Sequence, residues 1–388
     1  MLYLILSVTA IVLSYIASIE NNKRCAILTR YAFAIVFFIY GFEYYNTVDY
    51  DVMLRKFNYV NYGTLMHSMY GDEVEPLTRI LMKLCKPIGN IGYYIIVAFF
   101  EIIVLYKMAI KYVPKQYLWL FFILLLINFD NVILLMTVKR QVLSLFVVWL
   151  GVYYLLNVEK RNNTRIGTLL IISACFIHTA SIFALLILPI VRYNYLPSRQ
   201  TRITLFIIFF AQFFVNISTY TDFLYNYIFG INEKFASYAN DLQGDIDITP
   251  AYFIYYLSTF YIILFNLDKL NKTELALAKF VILYYLIFNL LPNSAGRSLM
   301  YFNLFQLFVI PIIVSKINDF RIMNLKVKYT YIALVVIISL RLCTNVYISD
   351  DPTNIGNGFK KFNTIFEAPS LQIDDPSFEK NKFKDLRK

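Results

Sequence analysis

The chain has 388 residues, of which 59% are hydrophobic, 18% aromatic and only 16% charged, with a mean hydropathy of +0.58. That leaves too little polar surface to cover a water-soluble fold of this length, so a soluble globular protein is excluded and an integral membrane protein is indicated. The net charge of +11 is then a guide to orientation across a bilayer, and no nucleic-acid partner is expected.

Apolar stretches recur at the length that about 30 Å of hydrocarbon requires at about 1.5 Å of helix rise per residue. Spans are expected at 2–18, 31–45, 91–110, 117–136, 142–157, 166–191, 203–220, 251–267, 275–292, 299–315 and 329–349. The fold class is all-α: a polytopic membrane protein of about 11–12 membrane helices. Residues 1–349 form a single helical domain, followed by a polar tail over 350–388. No basic residue precedes the first span, so a retained helix is expected there in place of a cleaved signal peptide.

Lysine and arginine set the orientation, because they gather on the cytoplasmic side. Lys23, Arg24 and Arg30 send the first loop inside and the N-terminus outside. Alternation then places 46–90 outside. That segment is too long for a simple connection and too aromatic for a disordered one, so it is expected to fold back on the membrane as an amphipathic element. It carries Asp49, Asp51, Glu73 and Glu75, carboxylates available at the outer face. Glu75, or else Asp49, is the candidate general base toward a hydroxyl, its pKa raised by partial burial. Asp49 and Glu75 also stand where helix N-caps stand, and that plainer reading remains open.

Further along, Lys139, Arg140 and Gln141 form a polar step between two apolar runs, and alternation puts the step outside, opposite to where cations usually gather. A guanidinium there, with no acid nearby in sequence, suits an anion held through paired N–H donors. The next span breaks the pattern. Read as one straight helix, 166–191 would put Arg192, Arg199 and Arg202 outside and the acidic stretch 221–250 inside. A short-helix hairpin turning near His178 restores the rule, with arms of about 13 residues, or about 20 Å. His178 then lies at a loosened turn within the membrane, where ionisable groups are candidates for function. Arg297, in the outer turn PNSAGRS, is a second cation of the kind Arg140 is. Glu101 and Arg341 fall inside spans, where an isolated charge costs about 3 kcal/mol or more, and they are expected to pair or to share a polar cavity.

Other chemistries find little support. Two histidines do not supply the three protein ligands a catalytic zinc usually takes, and the acidic stretch 221–250 reads as a solvated loop, so no metal is expected. The four cysteines lack CxxC spacing and imply no disulfide framework. No phosphate-binding glycine loop is present, and no cofactor is expected.

Taken in order, Asp49-Tyr50, Glu75-Pro76 with PLTRILMKL, Lys139-Arg140-Gln141 opening a helix, FIHTAS around His178, and Arg297 followed by Met300-Tyr301-Phe302 resemble the EpsG-type branch of the Wzy oligosaccharide repeat-unit polymerases. The resemblance implies a glycosyltransferase at the outer face of the bacterial inner or plasma membrane. It would move a growing glycan from undecaprenyl pyrophosphate onto a lipid-linked repeat unit. Its partners would be lipid-linked oligosaccharides, membrane lipid and a chain-length regulator protein. On this reading Arg140 and Arg297, with Lys139 and Gln141, hold pyrophosphate; Glu75 or Asp49 deprotonates the acceptor; and His178 orients or protonates the leaving group. A transporter or flippase of lipid-linked oligosaccharide, or an outer-face glycan ligase, is the alternative. A transporter would spread its charges over several depths, whereas here they cluster toward one face.

Overall fold

The computed structural model describes residues 1–43, 53–54, 56–58, 60, 74–137, 139–157, 161–213, 250–287, 299–317, 321–322, 325–348, 359, 362 and 364–366. Helices dominate, and each expected span has a helical counterpart. Among the described residues, five helices are long and apolar enough to cross a membrane, or six if one bent pair counts as a span. The rest of the expected spans appear as shorter helices, such as Arg199–Ala211 and Lys272–Ile287. A two-residue antiparallel pair, Arg321–Ile322 with Leu325–Lys326, closes one turn.

The chain divides into two compact units in place of one uniform helical domain: Met1–Gly151, Leu169–Thr179 and Ser339–Lys388 make the first, and Val152–Thr168 with Ala180–Ile338 the second. In the first, helix Leu2–Ile19 packs along Asn22–Gly41 and against Leu118–Leu126, and Asn22–Gly41 packs in turn on Gly89–Tyr112. The buried face of the first helix is Tyr3, Ser7, Ala10, Ser14 and Ala17. Small residues at helical spacing let backbones approach closely, which is how helices adhere where lipid removes the hydrophobic drive. In the second unit, Lys272–Ile287 packs against Pro250–Phe265, Arg199–Ala211 and Gln306–Lys316. Phe209, Phe260 and Tyr285 interlock at its centre, and the Tyr285 hydroxyl donates to Gln306 Oε1.

Three expectations need correction. The run 117–136 is not one straight helix: it breaks after Leu126, and the flanking segments bend by 66°. The freed carbonyls find side-chain donors, Asn131 Nδ2 on Leu124 and the Tyr3 hydroxyl on Leu126, so the break leaves these groups satisfied away from water. Secondly, Glu101 does not meet Arg341. Glu101 is fully buried and faces Lys139 and Glu43. Arg341 is exposed, because the buried face of helix Val327–Ile348 runs through Tyr331, Val335, Ile338 and Leu342 and misses position 341. Thirdly, part of the expected tail is packed. Phe359 and Phe362 are buried against Tyr3, and Ile365 N–H donates to the Phe42 carbonyl.

Candidate active site

Pro76 opens helix Pro76–Cys85 at its first turn, where its missing N–H is not needed. Glu75 occupies the N-cap, yet its carboxylate makes no capping hydrogen bond. The plainer reading of Glu75 as a helix cap is therefore not what the side chain does: the carboxylate points away from its own helix, toward two other elements.

One of these is the segment around His178. Helix Arg161–Ala174 ends in a turn in which the N–H groups of Ile177 and His178 both fall on the Ala174 carbonyl, and a 3-10 stretch, Thr179–Leu186, follows. At about 1.5 Å per α-helical residue and 2.0 Å per 3-10 residue, each arm is shorter than the hydrocarbon core. The Pro76 helix docks on this turn. Its Leu77 N–H, one of the donors a helix start leaves without an internal partner, reaches the Phe176 carbonyl at 3.0 Å. Thr78 Oγ1 donates to the Ile177 carbonyl at 2.8 Å, fully buried. These two bonds fix His178 beside Glu75.

The second element is helix Lys139–Leu155, whose second residue is Arg140. Arg140 Nη1 donates to Glu75 Oε2 at 2.7 Å, the short range of a charge-assisted bond. His178 Nδ1 lies 3.0 Å from Glu75 Oε1. Thr179 N–H and Oγ1 both approach that same oxygen at 3.4 Å. Burial alone would raise the Glu75 pKa, but the His178 hydrogen bond and the Arg140 charge outweigh it and hold the carboxyl down at about 2. The expectation of a raised pKa for Glu75 is thus reversed, because a carboxylate between two donors is stabilised as the anion. An ionised acceptor at Oε1 assigns the ring hydrogen to Nδ1 and leaves Nε2 as the basic nitrogen of neutral His178. Side chains of Glu75, Arg140 and His178 are 11%, 17% and 20% exposed, so the cluster is sheltered but open to a ligand.

Three of the expected site residues, separated by up to 103 positions, therefore stand together in the first unit. Lys139 and Gln141 do not join them. Consecutive helical residues point about 100° apart, and the Lys139 ammonium is 3% exposed, paired with Glu43 and 5.9 Å over the rings of Tyr40 and Tyr94. Gln141 is buried. Asp49 and Arg297, together with Asp51, Glu73 and the stretch 221–249, lie outside the described residues. Sequence reasoning missed Thr78 and Glu43. Thr78 sits inside the motif PLTRILMKL, where only its hydroxyl among long side chains marks it out.

A fixed guanidinium, an imidazole of set tautomer and a carboxylate bridging them can stabilise a developing anion on one side and take a proton on the other. Comparison with known proteins gives one match: the model of the EpsG family covers residues 26–360. No curated relative and no solved structure matches.

Proposed function

The chain belongs to the EpsG family of membrane proteins of polysaccharide synthesis, and from that premise we propose that it polymerises oligosaccharide repeat units carried on undecaprenyl pyrophosphate, at the outer face of the bacterial inner or plasma membrane. The observation that carries this reading is the Glu75–Arg140–His178 cluster. Arg140 faces the donor pyrophosphate. His178 Nε2 takes the proton of the acceptor hydroxyl as its oxygen bonds the anomeric carbon of the donor. The bond from that carbon to the phosphate oxygen breaks, and its electron pair leaves with the pyrophosphate, where Arg140 stabilises the growing charge. Glu75 keeps the imidazole in the required tautomer, stabilises the imidazolium as it forms and holds the guanidinium in place. It is a positioning residue here, and the base role passes to His178. Arg297 is proposed as a second cation for the pyrophosphate on the strength of its sequence position, with Asp49 as a further carboxylate near the acceptor.

The outer placement is supported by the distribution of lysine and arginine among the loops. Many tyrosines suit sugar faces, and apolar helices suit the polyprenyl tail. Purified protein in proteoliposomes, given an undecaprenyl-pyrophosphate-linked repeat unit, should build a ladder of glycan lengths. Arg140→Ala should insert normally and extend about 100-fold more slowly or less. Wild-type chain lengths from that variant would overturn the assignment of Arg140. Translocation of the lipid-linked unit without any ladder would favour the transporter, and transfer to a different acceptor in one step the ligase.

A further inference from the structure

Behind the Arg140 site lies a second group of charges with no route to solvent. Glu43 is 1% and Glu101 0% exposed, and both carboxylates act on the ammonium of Lys139. Lys139 and Glu43 form a direct ion pair. Glu101 differs from Glu43: among the described residues, neither of its oxygens has a hydrogen-bond partner. The hydroxyls of Tyr40 and Tyr93 are also buried without partners. The titratable groups facing Glu101 are Tyr40 and Glu43 from helix Asn22–Gly41 and its end, Lys139 from its own helix, and Tyr93 from the same helix as Glu101. Tyr93 feels Arg140 as well as Glu101, so it stands between the two groups.

Charge counting decides the state of this group. Two carboxylates around one ammonium would leave an uncompensated negative charge in a place that water does not reach, where an unpaired ion is costly and a proton is taken up instead. Glu43, in direct contact with the ammonium, keeps its charge. Glu101, with no donor to stabilise the anion, takes the proton.

We propose that Glu101 is a positioning residue for the transfer site: held as a neutral carboxylic acid, it completes with Glu43 a charge-balanced enclosure of Lys139 that fixes the Arg140 end of helix Lys139–Leu155. The proposal rests on the polymerase reading for its effect on catalysis, though not for its protonation state. When alkaline solution removes the proton, the enclosure gains a net negative charge, the Lys139 position loosens and Arg140 shifts from the pyrophosphate. Glutamine has the shape of the neutral acid and cannot ionise.

The test compares wild type, Glu101→Gln and Glu101→Ala in lipid nanodiscs. The infrared spectrum of wild type at neutral pH should hold a protonated-carboxyl C=O band that shifts in D2O and is missing in Glu101→Gln. In ladder synthesis Glu101→Gln should stay within about twofold of wild type at neutral pH and lose the alkaline decline. Glu101→Ala should fall about tenfold or more. A spectrum unchanged by Glu101→Gln overturns the proposal, as does an alkaline decline that persists in that variant. The infrared band needs no polymerase activity: its absence condemns this proposal alone, whereas a wild-type protein that shows the band and builds no ladder keeps the neutral acid and condemns the polymerase reading.

Discussion

Lys139 and Arg140 are neighbours in sequence, both cationic and both on the first turn of one helix, yet they serve two different environments. Arg140 meets a single carboxylate in a cluster that remains partly open, at 17% exposure. Lys139, at 3%, is enclosed by Glu43 and faced by Glu101. The open group can exchange its partner for a substrate anion. The closed group cannot, and its charges serve to hold the helix end in place. A one-residue step along a helix thus separates chemistry from support.

The largest effect should come from breaking the closed group. Lys139→Met leaves Glu43 buried without its cation and should cost about 3–5 kcal/mol of stability, whereas Lys139→Met with Glu43→Met should recover most of it. Thermal unfolding in detergent measures both. Equal losses in the single and double variants would mean that the pair is not what holds this region.

In the open group the corresponding effect should depend on pH. The Glu75 carboxyl is depressed from an ordinary value of 4.5 to about 2. Its contribution is therefore complete above the ordinary value and is lost as pH falls through the folded value. That contribution amounts to about 3 kcal/mol. The unfolding temperatures of wild type and Glu75→Gln should differ at pH 6 and converge as pH approaches 2. A gap that is constant over this range would show that the Glu75 charge is not what stabilises the cluster.

A smaller change lies at the support of the open group. Thr78→Val keeps the shape of the side chain but removes the bond to the Ile177 carbonyl, and should cost about 1 kcal/mol. Since that bond fixes the turn carrying His178, ladder synthesis should slow a few-fold, with insertion unchanged. A variant with wild-type rate would place the anchoring of the turn elsewhere, on the Leu77 bond to Phe176.

Much of this was readable in the sequence, for physical reasons that differ by residue. Helix positions followed from apolar runs, since a bilayer imposes length and hydropathy together. Glu75, Arg140 and His178 stood out as polar groups in apolar or amphipathic surroundings. Their union did not, because it depends on the docking of Pro76–Cys85 onto the turn at His178, a contact across about a hundred residues that no local pattern encodes. Lys139 and Gln141 were grouped with Arg140 by adjacency, and helix geometry sent them elsewhere. Glu101 was visible as an intramembrane charge, but its counterparts Glu43 and Lys139 lie near span ends, where charges look ordinary. The bend after Leu126 left no proline or glycine to announce it: the residues that settle it, Asn131 and Tyr3, act through side-chain hydrogen bonds to freed carbonyls.

The most direct test of the shared site is a double-mutant cycle on the single-turnover rate of glycan extension, using Glu75→Gln, His178→Ala and the pair. If Glu75 acts by setting His178, the double variant should be about as slow as the slower single variant, since the second change removes a group already idle. Rate losses that multiply in full would mean that Glu75 and His178 act independently, contradicting the site built on their hydrogen bond.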